Sequence, residues 1–183
     1  MNVIEYAERA VDELKDNIAN VDNDSMEKLI SLIFAAKKIY VAACGRSRLM
    51  ISAFAMRLMH LGFEVYVVGE IVTPAVAEGD LVIFCSGSGK TASLINMASK
   101  ARSIGATVTA ITIYSDSELA QLAEHVLQIG GRTSKVASDT KTIQPGGNVF
   151  EQSVLILMDC LIVRIAEVGQ IDISKYKRHA NLE

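Results

Sequence analysis

The spacing of apolar residues divides the chain into two regimes. Over residues 3–20 and 25–37 the apolar positions recur at helical intervals, the stripe of an amphipathic helix. The second span is introduced by DNDS, whose short polar side chains suit an N-cap. From residue 38 the pattern shifts to short β-branched runs: KIYVAA at 38–43, EVYVV at 64–68, DLVIFC at 80–85, TVTAITI at 107–113 and HVLQI at 125–129. Helical stretches at 47–61, 91–103 and 117–123 separate most of them, and LGFE and IGAT place a glycine where two helices need a left-handed C-cap. This alternation predicts five parallel strands. A long apolar helix at 149–168 and a terminal helix complete the pattern.

Such a fold is α/β: a three-layer αβα sandwich around a five-stranded parallel sheet. The doubly wound order 2-1-3-4-5 sets strands 1 and 3 side by side with their connections leaving in opposite directions, and ligands bind in the crevice that opens there. The loops meeting at that point are CGRSR, 44–48, and CSGSGKT, 85–91. The polar, irregular stretch TSKVASDTKTIQPGGN, 133–148, reads as a mobile loop over the site. One domain is expected over 1–183, with N-terminal helices to 37, a sheet core at 38–130, a loop at 131–148 and C-terminal helices at 149–183.

A chain of 183 residues suffices for one substantial core, burying roughly 70% of the surface that the unfolded form exposes. Half of it is hydrophobic and only 5% aromatic, so aliphatic side chains fill the interior, as buried parallel strands require. The net charge of −3 and the lack of a Lys/Arg run set a nucleic-acid surface aside in favour of a small ligand. Cys44, Cys85 and Cys160 are odd in number and far apart, which suggests neither a disulfide framework nor a zinc cluster and fits a reducing cytoplasm. The N-terminal stretch lacks the apolar core of a signal peptide. The 149–168 helix carries Glu151, Asp159 and Arg164, costly in a bilayer, and reads as buried or subunit-facing. No membrane partner is expected.

GSGKT at 87–91 ends like a Walker A loop, but the first glycine of that loop would have to be residue 84, which is Phe84; a nucleoside triphosphate is disfavoured. Ser47, Ser86, Ser88 and Thr91 would instead converge with free backbone N–H groups at two helix starts, where the aligned peptide dipoles favour an anion. A nest of this kind suits a terminal phosphate monoester without a metal. The residues alone leave equally open that Ser and Gly simply form turns and caps.

CGRSR, the helix text AFAMRLMHLGFEVYVVGE, CSGSGKT, QPGGNVFEQ and the ending KRHANLE together resemble the sugar isomerase (SIS) family, and within it the 6-phospho-3-hexuloisomerase branch, nearly end to end. The two Ser-Gly loops mark the wider family; MRLMHLG, FEQ and RHANLE mark the branch. The resemblance implies the SIS fold, no cofactor or metal, and a homo-oligomer, commonly a tetramer, with sites near its interfaces. It implies interconversion of 3-hexulose 6-phosphate and fructose 6-phosphate through a 2,3-enediol in the ribulose monophosphate pathway, with a hexulose phosphate synthase as metabolic partner. With its 6-hydroxyl phosphorylated, the 3-keto sugar closes no unstrained ring, so it reacts from the open chain.

By the same resemblance Ser47, Ser86, Ser88 and Thr91 hold the 6-phosphate, Gly45, Arg46, Gly87 and Gly89 make further substrate contacts, and Glu151 is the base. His60, then His179, are the candidates to move a proton between oxygens, and either can serve a neighbouring subunit's site. Taken alone, Glu151 in a helix's first turn is more readily a capping and dipole residue; as a base it would have an apolar wall of Val149 and Phe150 to raise its pKa. His60 alone reads as a C-terminal dipole partner, His179 as part of a solvated tail, and His125 as structural. Three positions depart from the family pattern: Arg48 for Gly, Lys90 for an acidic residue, and Gly146 for a bulky apolar one. The first two either add positive charge near the phosphate or simply point to water, and the third loosens the loop before Glu151. Two rivals remain: a non-catalytic sugar-phosphate sensor, which needs the nest but no base, and an aldose-ketose isomerase of a pentose or heptose phosphate.

Overall fold

The computed structural model describes residues 1–136 and 141–172. In chain order the elements are α1 (Val3–Ile18), α2 (Asn23–Ala35), β1 (Ile39–Ala43), α3 (Gly45–His60), β2 (Val65–Val67), β3 (Leu81–Cys85), α4 (Ala92–Ile104), β4 (Thr107–Thr112), α5 (Glu118–Leu122), β5 (His125–Gln128) and α6 (Asn148–Val168). The predicted strands and helices are present with small shifts at their ends. For example, α2 starts earlier than its apolar stripe because Asp22 caps it, accepting from the N–H groups of Asp24 and Ser25. The expected left-handed glycines are found: Gly62 at φ +105° just beyond α3, and Gly105 at φ +89° closing α4. The terminal helix expected around KRHANLE lies outside the described residues.

All strand pairs are parallel, in the order β2-β1-β3-β4-β5. Alternate residues face opposite sides, so each strand feeds two cores. Ile39, Val41, Leu81, Ile83, Ile111 and Leu127 pack beneath α2, α3 and α6. On the reverse face Tyr40, Ala42, Val82, Phe84, Val108 and Ala110 lie under α4 and α5. Alanines on both sides of this second layer, Ala42 and Ala110 facing Ala98 and Ala101, let α4 settle close to the sheet.

Helix α6 buries Phe150, Val154, Leu161 and Ile165 against the larger core. Toward its C-terminal end the charges point outward: Arg164 pairs with Glu27 of α2 and with Glu167, both at 2.9 Å. Among the described residues no helix is long and apolar enough to cross a membrane.

Candidate active site

Beyond the C-terminal ends of β1 and β3 the chain leaves toward opposite faces of the sheet, into α3 and α4, and a cleft of about 260 Å³ opens between the two exits. Ser47, Ser86, Ser88 and Thr91 line it together with Glu151.

The loop after β3 is held by its backbone. Ser86 N–H donates to the Ile111 carbonyl at 3.0 Å, Ile113 N–H to the Gly87 carbonyl at 3.2 Å, and Leu119 N–H, in the first turn of α5, to the Gly89 carbonyl at 3.1 Å. Gly89 sits at φ +60°, and a Cβ there would lie 2.0 Å from Ser117 Oγ, so no larger residue fits. A Cβ on Gly87 would come within 3.2 Å of the Phe150 ring, which packs beneath the loop and ties it to the first turn of α6. The hydroxyls are therefore preset: Ser86 Oγ stands 3.4 Å from Thr91 Oγ1, and Ser88 Oγ accepts from Lys90 N–H at 3.2 Å.

The helix starts divide by location. Away from the cleft, α1, α2 and α5 are capped by the side chains of Asn2, Asp22 and Ser117. At the cleft, α3, α4 and α6 begin at Cys44, Thr91 and Gly147 with no side-chain cap, and all three of these residues line the cavity. Three sets of uncapped N–H groups, each at the positive end of a helix dipole, thus face one space.

The charges follow the same plan. Glu151, with only 13% of its side chain exposed, places Oε2 3.0 Å from Arg46 Nε, and its Oε1 accepts from Ser47 Oγ at 3.4 Å. Arg132 and Lys135 add positive charge to the lining, and Lys135 Nζ donates to Thr91 Oγ1 at 3.4 Å. Burial, reinforced by the Glu151 carboxylate, pushes the Cys85 thiol far above its usual range, so this lining thiol is no nucleophile. The arrangement can take up an anion and hold a carboxylate within reach of whatever the anion is attached to.

The model of the SIS domain family matches residues 32–155. The chain belongs to the SIS domain family. It is 41% identical to a 3-hexulose-6-phosphate isomerase of Bacillus subtilis over 185 aligned residues, covering 100% of each chain. With a 3-hexulose-6-phosphate isomerase of Methylomonas aminofaciens it shares 37% identity over 97% of this chain and 98% of the relative. A solved structure of a hypothetical protein from Methanococcus jannaschii, from which that same isomerase function was inferred, superposes with a TM-score of 0.82 at 35% identity, covering 98% of both chains.

The SIS cleft brings together all four predicted hydroxyls with Gly45, Arg46, Gly87 and Glu151. It does not contain His60. That residue is buried in the last turn of α3, the helix whose first turn carries Ser47; a rise of 1.5 Å per residue puts the two about 20 Å apart along the axis. His125 opens β5 at the other end of the sheet; burial lowers its pKa despite a hydrogen bond involving Ser25. His179 lies outside the described residues.

Two other expectations are decided. The Glu151 carboxylate meets Arg46 and Ser47, and of its expected apolar wall Phe150 lines the cleft while Val149 does not. Arg48 turns away to pair with Glu70 at 2.6 Å, and the exposed Lys90 is outside the lining, so neither departure adds charge to the cleft. Arg132 and Lys135 do so instead, and their stretch of chain carries no local signal beyond polarity. Gly146 takes φ +59°, a left-handed turn into α6 that a bulky L-residue would strain.

Proposed function

We propose that this chain is a phosphosugar isomerase that interconverts 3-hexulose 6-phosphate and fructose 6-phosphate. The observation that carries the reading is the convergence of three uncapped helix starts on one cleft, beside serine hydroxyls and a carboxylate. Full-length likeness to proteins named for this reaction supports it.

In this reading Ser47, Ser86, Ser88 and Thr91 receive the terminal phosphate with the backbone around Gly45, Gly87 and Gly89, through charge-assisted hydrogen bonds. Glu151 removes the proton from C2 of the 3-keto sugar. The electrons of that C–H bond form the C2=C3 double bond, and the C3 oxygen takes up the negative charge. Arg46, beside Glu151, steadies that charge. A proton passes from the C2 oxygen to the C3 oxygen, and Glu151 returns its proton to C3, leaving the ketone at C2.

For the transfer between oxygens we assign His60, acting in the cleft of a second copy, with His179 as the alternative. The chain then works as one SIS domain in a homo-oligomer, in the cytoplasm. A hexulose phosphate synthase precedes it in the ribulose monophosphate pathway. The exposed apolar side chains Val3, Ile4 and Val11 on α1, and Leu49 and Met56 on α3, offer surface for such contacts.

The test is to incubate the protein with fructose 6-phosphate in deuterated water and follow label by NMR. Deuterium should enter at C3 of the recovered ketose and at C2 of the new hexulose. Glu151→Gln should slow this by about 10²-fold or more while still binding the sugar phosphate. Label at C1 would identify an aldose-ketose isomerase, and binding without exchange would identify a sensor; either result overturns the proposal.

A further inference from the structure

Helix α1 lies outside the stretch matched by the family model, yet its inward face is tied to the cleft. Glu13 Oε2 accepts from Thr142 Oγ1 at 2.6 Å and from Gln144 Nε2 at 3.2 Å, while Oε1 accepts from Ile143 N–H at 2.9 Å. One turn further along, Asn17 Nδ2 donates to the Gly130 carbonyl at 3.1 Å and to Ser153 Oγ at 2.8 Å. Ser153 is fully buried on α6, two residues beyond Glu151. The approach at Gly130 is close: a Cβ there would stand 2.3 Å from Asn17 Oδ1.

Residues four apart share a helix face, so one short patch of α1 grips three things. These are Gly130, just before Arg132 and Lys135; residues 142–144, just before α6; and α6 itself. The next glycine repeats the tie from within, since a Cβ on Gly131 would lie 2.9 Å from Phe150 Cβ.

We propose that Glu13 and Asn17 are positioning residues of the cleft: through them α1 sets where the wall carrying Arg132 and Lys135 stands relative to the two serine loops. A plain packing helix needs only apolar contact with α6. Here a carboxylate meets three donors drawn from one short stretch, and an amide bridges two separate elements. Although burial acts to raise it, hydrogen bonds from Thr142, Ile143 and Gln144, with the charge of Arg9, hold the Glu13 carboxyl below its ordinary value. The inference rests on the cleft being a sugar-phosphate site, since its effect is on the grip of the phosphate end.

The experiment compares the full-length protein with Glu13→Ala, Glu13→Gln, Asn17→Ala and, as control, Glu5→Ala. Glu5 belongs to the capping box of the same helix and touches nothing in the cleft. The readouts are affinity for inorganic phosphate and for fructose 6-phosphate by calorimetry, KM and kcat for isomerisation, and hydrogen exchange at the Ile143 amide. Glu13→Ala and Asn17→Ala should weaken phosphate binding and raise KM by about tenfold, with a smaller change in kcat, because a displaced binding group costs heavily even when distant from the chemistry. Glu13→Ala should also speed exchange at Ile143. Glu13→Gln, which retains one acceptor oxygen, should fall between, and Glu5→Ala should match the wild type. If Glu13→Ala does not fold, Glu13→Gln and Asn17→Ala decide. Phosphate affinity and KM within twofold of wild type in the folded variants would overturn the inference. Wild type that binds phosphate without turning over sugar would defeat only the proposed reaction, because the phosphate readout still tests the brace. Wild type that binds neither ligand would defeat both.

Discussion

Lys135 shows what a single residue contributes that its neighbours in sequence do not reveal. It stands in a polar stretch with no periodicity, and only the folded chain carries its ammonium to Thr91. The four hydroxyls were legible because each lies within a few residues of a strand end and a helix start, a local relation that spacing records. Arg132 and Lys135 reach the same cleft through a connection between distant elements, and spacing records nothing of that. In the proposed reaction Lys135→Ala should raise KM about tenfold or more with kcat nearly kept, since a charge-assisted hydrogen bond contributes on the order of 1.5–3 kcal/mol. Steady-state kinetics checks this, and repetition at rising ionic strength should show the gap narrowing as salt screens the lost charge. The wall expected around Glu151 is half present for a related reason: Val149 follows the helix into the core while Phe150 still lines the cleft, and the carboxylate itself reaches Arg46.

Elements were the most legible level. Five β-branched runs, most of them separated by helical stretches, call for a parallel sheet, and the doubly wound order sets the two serine loops side by side, as observed. The absence of side-chain caps on α3, α4 and α6 was not legible, because Thr91 looks like a good cap and does not act as one. The turn between β3 and α4 bears the most stringent demand. Gly89→Ala would combine a left-handed conformation with a Cβ driven into Ser117. Denaturant unfolding should show a loss of about 2–4 kcal/mol, the range for a strained backbone plus overpacking. The same variant should bind phosphate poorly, since relief of the clash moves the Ser86 and Ser88 hydroxyls.

For the whole molecule, the two faces of the sheet have different work. The α4 and α5 side closes a small, alanine-rich core, while the α2, α3 and α6 side carries Glu151, the His60 helix and the α1 brace. That division was only partly legible: strand order assigns layers, but not which helix end meets which cleft. His60 is the clearest case, since its motif suggested a role and the rod of α3 sets it at the far end from its own serine loop.

One consequence of that rod concerns genetics. If a histidine from one polypeptide serves a carboxylate from another, chains disabled by Glu151→Gln and by His60→Ala should complement each other. Co-refolded in equal amounts, the two inactive proteins should regain about a quarter of native turnover, the fraction of paired sites that inherit both intact groups in a two-fold arrangement. A mixture as silent as its parents would show that each polypeptide works alone.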